Sequence, residues 1–198
     1  LFIRYERFDQ FIRLYPIVTG LLAINLGLFL LSIFIPSYYT YIHYWGVGIN
    51  IFVAAGEYWR LITPVFLHAG LGHVLFNSFS LLIFGPALER ILGGFRFTIL
   101  YLFAGFIGNV GTFLFEAGDY MHLGASGAIY GLLGLYFYMR FFRQDLIDPG
   151  SAQIVTTVLI IGAIYTAVMP GINILGHLFG FVGGTLLGPV IFPKQKGY

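Results

Sequence analysis

The chain contains no cysteine. Disulfide frameworks, thiolate metal sites and a cysteine nucleophile are therefore excluded. Charge is also scarce. Asp, Glu, Lys and Arg make up 9% of the 198 residues, against roughly 25% in an average soluble protein. A soluble globule of this size could not cover its surface with so few charges. The ten basic and eight acidic residues nearly cancel, leaving a net charge of +2. The basic residues are scattered and form no stripe, which argues against a nucleic-acid partner. Hydrophobic residues, in contrast, reach 59%. The solvent for this composition is a lipid bilayer.

About 20 apolar residues are needed to cross ~30 Å of hydrocarbon as a helix. Six uncharged stretches approach or meet that length: 16–36, 70–88, 97–115, 124–139, 151–169 and 171–193. The fourth is short, ~24 Å at 1.5 Å per residue, and is expected deep in the bundle or starting below the surface. The last two are separated only by Met169–Pro170 and are expected to form a tight helical hairpin. The fold class is thus an all-α membrane protein with six transmembrane helices. Residues 1–15 read as a cytoplasmic leader without a cleavable-signal pattern, 16–193 as the membrane domain, and 194–198 as a cytoplasmic tail.

Nine of the ten basic residues fall in the leader, the 2–3 and 4–5 connections and the tail. Only Arg60 lies in the alternate connections. The positive-inside rule then puts both termini in the cytoplasm of a multi-pass protein of the cell membrane. Residues 37–69 form a long outer loop rich in aromatics, including Tyr38, Tyr39, Tyr41, Tyr44, Trp45, Phe52, Tyr58 and Trp59. Such side chains suit the membrane interface, so the loop is expected to lie partly in the outer leaflet.

Polar chemistry concentrates near the outer ends of the second, fourth and sixth stretches. His73 and Asn77 are four apart and share a helix face. Ser126 stands in GASGAIYG (124–131), and His177 in LGHLFGFVGG (175–184). Ionisable side chains inside a membrane are costly and read as functional by default. Gly127, Gly131 and Gly134 on one stretch, and Gly176, Gly180, Gly184 and Gly188 on the other, offer small faces for close helix approach. A Ser–His pair across those faces suggests acyl transfer, with Ser126 as nucleophile and neutral His177 as its base. Oxyanion donors are available in the Asn77 amide, the His73 ring and the Ser126 backbone N–H at a helix start. No acidic residue lies inside the stretches to orient His177, so a dyad is expected. The fifth stretch offers no catalytic residue. A zinc enzyme would want H-E-x-x-H, which is absent; no metal or cofactor is expected.

In combination these motifs resemble the rhomboid family of intramembrane serine proteases. HVLFN (73–77) resembles the family's H-x-x-x-N, GASG (124–127) its G-x-S-G, and His177 with Gly180 and Gly184 its H-x-x-G-x-x-x-G. Trp59-Arg60 resembles the Trp-Arg pair of the family's first loop. The resemblance covers about Trp59 to Gly184. It implies a six-helix core, with the short fourth helix reaching a water-filled cavity open to the outside. It also implies that Ser126 and His177 form the dyad, that His73 and Asn77 assist the oxyanion, and that Tyr130 stacks on His177. Without a large soluble extra domain, the chain is similar to the minimal six-helix form common in prokaryotes.

The expected partners are the lipid bilayer and transmembrane segments of substrate proteins, cut near their outer ends after local unwinding and entering past the fifth helix. A non-catalytic client binder on the same fold is the alternative. A transporter fits less well, since no polar residue continues a path into the inner halves of the fourth or sixth helices. Among the remaining residues, Gly124 is a bend or a close-approach point whose N–H could face the oxyanion. His68 is expected to hold the outer loop by hydrogen bonds, His122 to be a loop residue, and His43 to be interfacial. Trp59 and Arg60 should anchor the outer loop, and Glu89 and Arg90 should end the second helix.

Overall fold

The computed structural model describes residues 1–193, the Pro36 side chain excepted. The expected tail at 194–198 lies outside the described residues. After a short helix α1 (Phe8–Leu14), each of the six apolar stretches becomes one helix. They are α2 (Pro16–Phe34), α5 (Leu71–Leu92), α6 (Gly94–Phe115), α7 (Ser126–Phe142), α8 (Pro149–Val168) and α9 (Ile174–Ile191). Five are long and apolar enough to cross a membrane. The sixth, α7, has 17 residues, about 25 Å at 1.5 Å per residue. It sits at the centre, packed against α5, α6, α8 and α9, with Leu132, Leu135, Tyr136 and Met139 fully enclosed. A helix surrounded by others needs no full bilayer length.

Helix α5 runs past the expected boundary at residue 88 because Glu89 is not a solvated terminus. It is buried, and its carboxylate accepts the backbone N–H groups of Ile17 and Val18, both at 2.8 Å. These amides belong to the first turn of α2, where no intrahelical acceptor exists. Glu89 therefore caps one membrane helix from another, and its negative charge faces the positive end of the α2 dipole.

Residues 37–69 are more ordered than a connection. They contain α3 (Pro36–Gly46), strand β1 (Gly48–Ile49), a short helix α4 (Asn50–Ala54) and two 3-10 turns (Tyr58–Leu61 and Thr63–Phe66). Tyr38, Tyr39, Tyr41, Tyr44, Trp45, Tyr58 and Trp59 are exposed on this segment, as an interfacial element requires. Beneath them, Arg60 is almost fully buried. Its Nη1 and Nη2 donate to the carbonyls of Val47 and Tyr44, both at 2.6 Å, while Nε pairs with Glu57 at 2.6 Å. Trp59 Nε1 donates to Trp45 O at 3.0 Å. One planar guanidinium thus folds the loop onto itself. Strand β1 pairs antiparallel with β2 (Met121–His122), tying this loop to the segment that leads into α7.

The hairpin between α8 and α9 is tight only at its link. Asn173 caps α9 by accepting from Gly176 N at 2.8 Å, and its Nδ2 donates to Thr112 of α6 at 2.9 Å. Helix α9 consequently packs along α6 and α7 rather than along α8. Helix α8 buries only Ser151, Ala152 and Val155 near its start and Thr166 near its end.

Candidate active site

Ser126 opens α7, in the first turn where backbone N–H groups have no partner of their own helix. The chain is led there by Gly124, whose φ of +130° is a conformation that side chains rarely adopt. The N–H of Gly124 donates to Pro64 O at 2.9 Å rather than facing an oxyanion, while the bend and the close approach expected of this residue are both present. What Gly124 provides is close approach. A Cβ there would stand 2.6 Å from His73 Nε2. The Ser126 Oγ also lies within 4 Å of that same point. His73 of α5 and Ser126 of α7 therefore meet across Gly124.

His177 is presented by α9, one turn after the cap at Asn173, and is buried. The glycines of α7 and α9 let the two backbones touch. A Cβ on Gly127 would stand 3.2 Å from the Gly176 carbonyl oxygen, and one on Gly131 3.2 Å from that of Gly180. From α6, a Cβ on Gly108 would stand 2.6 Å from the same Gly176 oxygen. Ser126 and His177 each neighbour a member of this contact. Among the described residues no hydrogen bond joins Ser126 to His177. Such bonds are often long in free enzymes and tighten when substrate binds.

Tyr130, one turn along α7 from Ser126, stacks on His177 with ring centroids 4.1 Å apart and planes 13° from parallel. The other ring nitrogen of His177, Nδ1, lies 2.8 Å from Thr166 Oγ1 of α8. No carboxylate takes that place. Sequence reasoning does not single out Thr166; its expectation for the fifth stretch concerns only the lack of a catalytic residue, and Thr166 touches the His177 ring from that helix.

Asn77 is buried on α5, one turn below His73, and its Nδ2 has no hydrogen-bond partner. An amide left unpaired in an apolar interior is costly. Its donors remain available to a group that enters the site. Helices α7 and α9 thus bring together Ser126, Tyr130 and His177, with His73 of α5 approaching across Gly124 and Thr166 added from α8, while Asn77 lies one helical turn from His73 on α5.

The remaining histidines stand apart in chemistry. His68 packs edge-on against His73, ring centroids 5.1 Å apart. Its nitrogens make no hydrogen bond of full geometry, and the polar contact its ring has with the loop is a weaker one with the Phe66 backbone. His122 is buried in strand β2 with both nitrogens unpartnered, its ring pressed on Gly48 of β1. Burial pushes both rings down to about 4; for His68 the neighbouring His73 charge acts in the same direction. His43 stacks on Tyr39 in α3 and lies 2.9 Å from its carbonyl. No group of three or more potential metal ligands occurs among the described residues.

Comparison with known proteins places this geometry in context. The family model of the Rhomboid domain matches residues 55–194. The chain is 46% identical over 199 residues to the rhomboid-family protein YdcA of Bacillus subtilis (strain 168), covering 99% of this chain and 98% of YdcA. It is 36% identical over 154 residues to rhomboid protease GluP of the same organism, covering 77% of this chain and 30% of GluP. RHOMBOID-like protein 4 of Arabidopsis thaliana is 36% identical over 157 residues, 79% of this chain and 40% of that protein. The chain thus spans nearly all of YdcA and less than half the length of the other two.

Proposed function

The chain belongs to the rhomboid family of intramembrane serine proteases, and on that premise we propose that Ser126 and His177 are its catalytic dyad. The observation that carries this reading is the placement of Ser126 at the start of α7, one turn from a tyrosine stacked flat on His177 of the touching helix α9. His177 Nε2 takes the proton of Ser126 Oγ as the oxygen attacks the carbonyl carbon of the scissile bond. The negative charge that develops on the carbonyl oxygen is met by three donors: Asn77 Nδ2, the His73 ring N–H and the Ser126 backbone N–H. His177 then passes its proton to the leaving amine, and an ester on Ser126 remains. Water, deprotonated by His177, hydrolyses that ester and restores the hydroxyl.

The substrates in this reading are transmembrane segments of other membrane proteins. Peptide bonds in an intact helix are shielded by their own hydrogen bonds, so segments that unwind near their outer end are preferred. Both termini lie in the cytoplasm and the dyad faces the outer side, an orientation that rests on the distribution of basic residues. Residues 16–193 form the membrane domain and 1–15 a cytoplasmic leader.

The test is cleavage of a transmembrane substrate by the full chain in proteoliposomes. Ser126→Ala and His177→Ala are expected to abolish cleavage while the protein still folds. Asn77→Ala is expected to slow it by up to ~100- to 1000-fold, the range for one oxyanion donor. Full activity in folded Ser126→Ala would overturn the dyad, and an unchanged rate in Asn77→Ala would remove Asn77 from the oxyanion site.

A further inference from the structure

Thr166 occupies the last turn of α8 and is buried. It joins a chain of three hydrogen bonds. His177 Nδ1 lies 2.8 Å from Thr166 Oγ1, which lies 2.6 Å from Tyr130 Oη, which lies 2.7 Å from the carbonyl oxygen of Gly162. The direction of the chain follows from its far end. A carbonyl oxygen only accepts, so Tyr130 gives its single proton to Gly162. Thr166 must then donate to Tyr130. With its one proton committed, Thr166 can only accept from His177. Nδ1 of His177 therefore carries the ring proton, and in the neutral imidazole Nε2 is left as a bare acceptor. That is the tautomer a base needs to take a proton from serine.

Other threonines on the membrane helices behave differently. Thr19, Thr98, Thr112 and Thr156 each donate to the carbonyl four residues earlier, the usual habit of a helical threonine. For Thr166 that carbonyl belongs to Gly162 and is taken by Tyr130. Residue 162 being glycine matters here, since a Cβ on it would stand 3.0 Å from Tyr130 Oη.

We propose that Thr166 is a positioning residue for His177, fixing its tautomer and ring orientation through an uncharged hydroxyl. It fills the place that a carboxylate takes in Ser-His-Asp triads, with hydrogen bonding but no net charge to offer. The inference rests on the reading of Ser126 and His177 as the dyad. It also makes the alignment of the base depend on α8, which buries little else near that end.

The test compares Thr166→Val, which keeps shape and removes the hydroxyl, with Thr166→Ser, which keeps the hydroxyl. Both are made in the full chain and assayed by the rate of labelling with a fluorophosphonate and by kcat and KM on a transmembrane substrate. Thr166→Val is expected to lose about 10- to 100-fold in labelling rate and kcat, comparable to losing the outer partner of a metal-bound histidine. KM should be unchanged, and Thr166→Ser should recover the rate to within a few-fold. Gly162→Ala, which crowds the Tyr130 hydroxyl without touching Thr166, should show a smaller loss of the same kind. This variant carries the test if Thr166→Val does not fold.

Full labelling by folded Thr166→Val, no recovery by Thr166→Ser, or a full rate in Gly162→Ala would overturn the proposal. Ser126→Ala and His177→Ala are run alongside. Labelling retained in either one overturns the dyad itself. Labelling lost in both, with Thr166→Val at full rate, overturns the role of Thr166 alone.

Discussion

The ring of Tyr130 lies flat on that of His177, 4.1 Å between centroids and 13° from parallel. Stacking of this kind contributes about 0.5–1.5 kcal/mol and, more to the point here, restricts the tilt of the imidazole. Tyr130→Ala is expected to reduce the cleavage rate by ~10-fold or more, because a near-attack geometry is lost with small displacements. Tyr130→Phe retains the stack and should fall between wild type and Tyr130→Ala. Measured kcat values in one detergent check the order. Equal loss in both variants would shift the role from the ring to the hydroxyl.

The glycine contact between α7 and α9 leads to a stability prediction. A Cβ on Gly184 would overlap the carbonyl group of Gly131, and neither backbone can yield without parting the helices that carry Ser126 and His177. Gly184→Ala is expected to destabilise by ~3 kcal/mol or more, at or beyond the upper end for overpacking. Gly20→Ala on α2 meets nothing within 4 Å and should be neutral or slightly stabilising. Thermal unfolding midpoints of the two variants in the same detergent test this contrast.

Glu89 supplies a third. Glu89→Ala leaves two first-turn amides of α2 without acceptors and is expected to cost about 3–6 kcal/mol, since each bond to a charged group contributes ~1.5–3 kcal/mol. Glu89→Gln keeps one acceptor oxygen and should cost less. Unfolding midpoints rank the three proteins. A midpoint for Glu89→Ala equal to wild type would remove the capping role.

The stability of the fold should also depend on pH through His68 and His122, which lie outside the membrane helices. Their folded values of about 4 stand below the ordinary 6.5. Between those values the unfolded chain binds more protons than the folded one, so stability falls as the medium is acidified. The contribution of these rings is fully present above 6.5 and is lost progressively down to about 4. His122→Phe, which keeps a ring against Gly48, should flatten part of that slope. An acid titration of the unfolding midpoint with and without the substitution measures it.

The helices were legible in the sequence because an apolar run of membrane length is a strong signal. The six stretches each became one helix, with boundaries moved by a few residues. The moves have causes. Helix α9 starts at Ile174 rather than 171 because Pro170 and Gly171, at φ +76°, form the turn and Asn173 supplies the cap. Helix α5 continues through Glu89 because a partner helix accepts its charge.

The inside of the outer loop was not legible. Its two-residue strand has no periodicity to detect; Trp59 and Arg60 anchor the loop as their resemblance to the Trp-Arg pair leads one to expect, but the carbonyls of Tyr44, Trp45 and Val47 that they hold follow only from the fold. In the site, Ser126, His177, His73 and Asn77 stood out as polar residues on glycine-bearing or apolar helices. Thr166 did not, because a membrane threonine ordinarily satisfies itself on its own helix. Only the tertiary position of Tyr130 reveals that it does something else.

The most direct test of the account is labelling by a fluorescent fluorophosphonate in mild detergent, comparing the wild-type chain with Ser126→Ala and His177→Ala. A serine activated by His177 predicts labelling of the wild type that is lost in both variants. A folded wild-type chain that takes up no label, or a Ser126→Ala chain that labels as well as wild type, would contradict it.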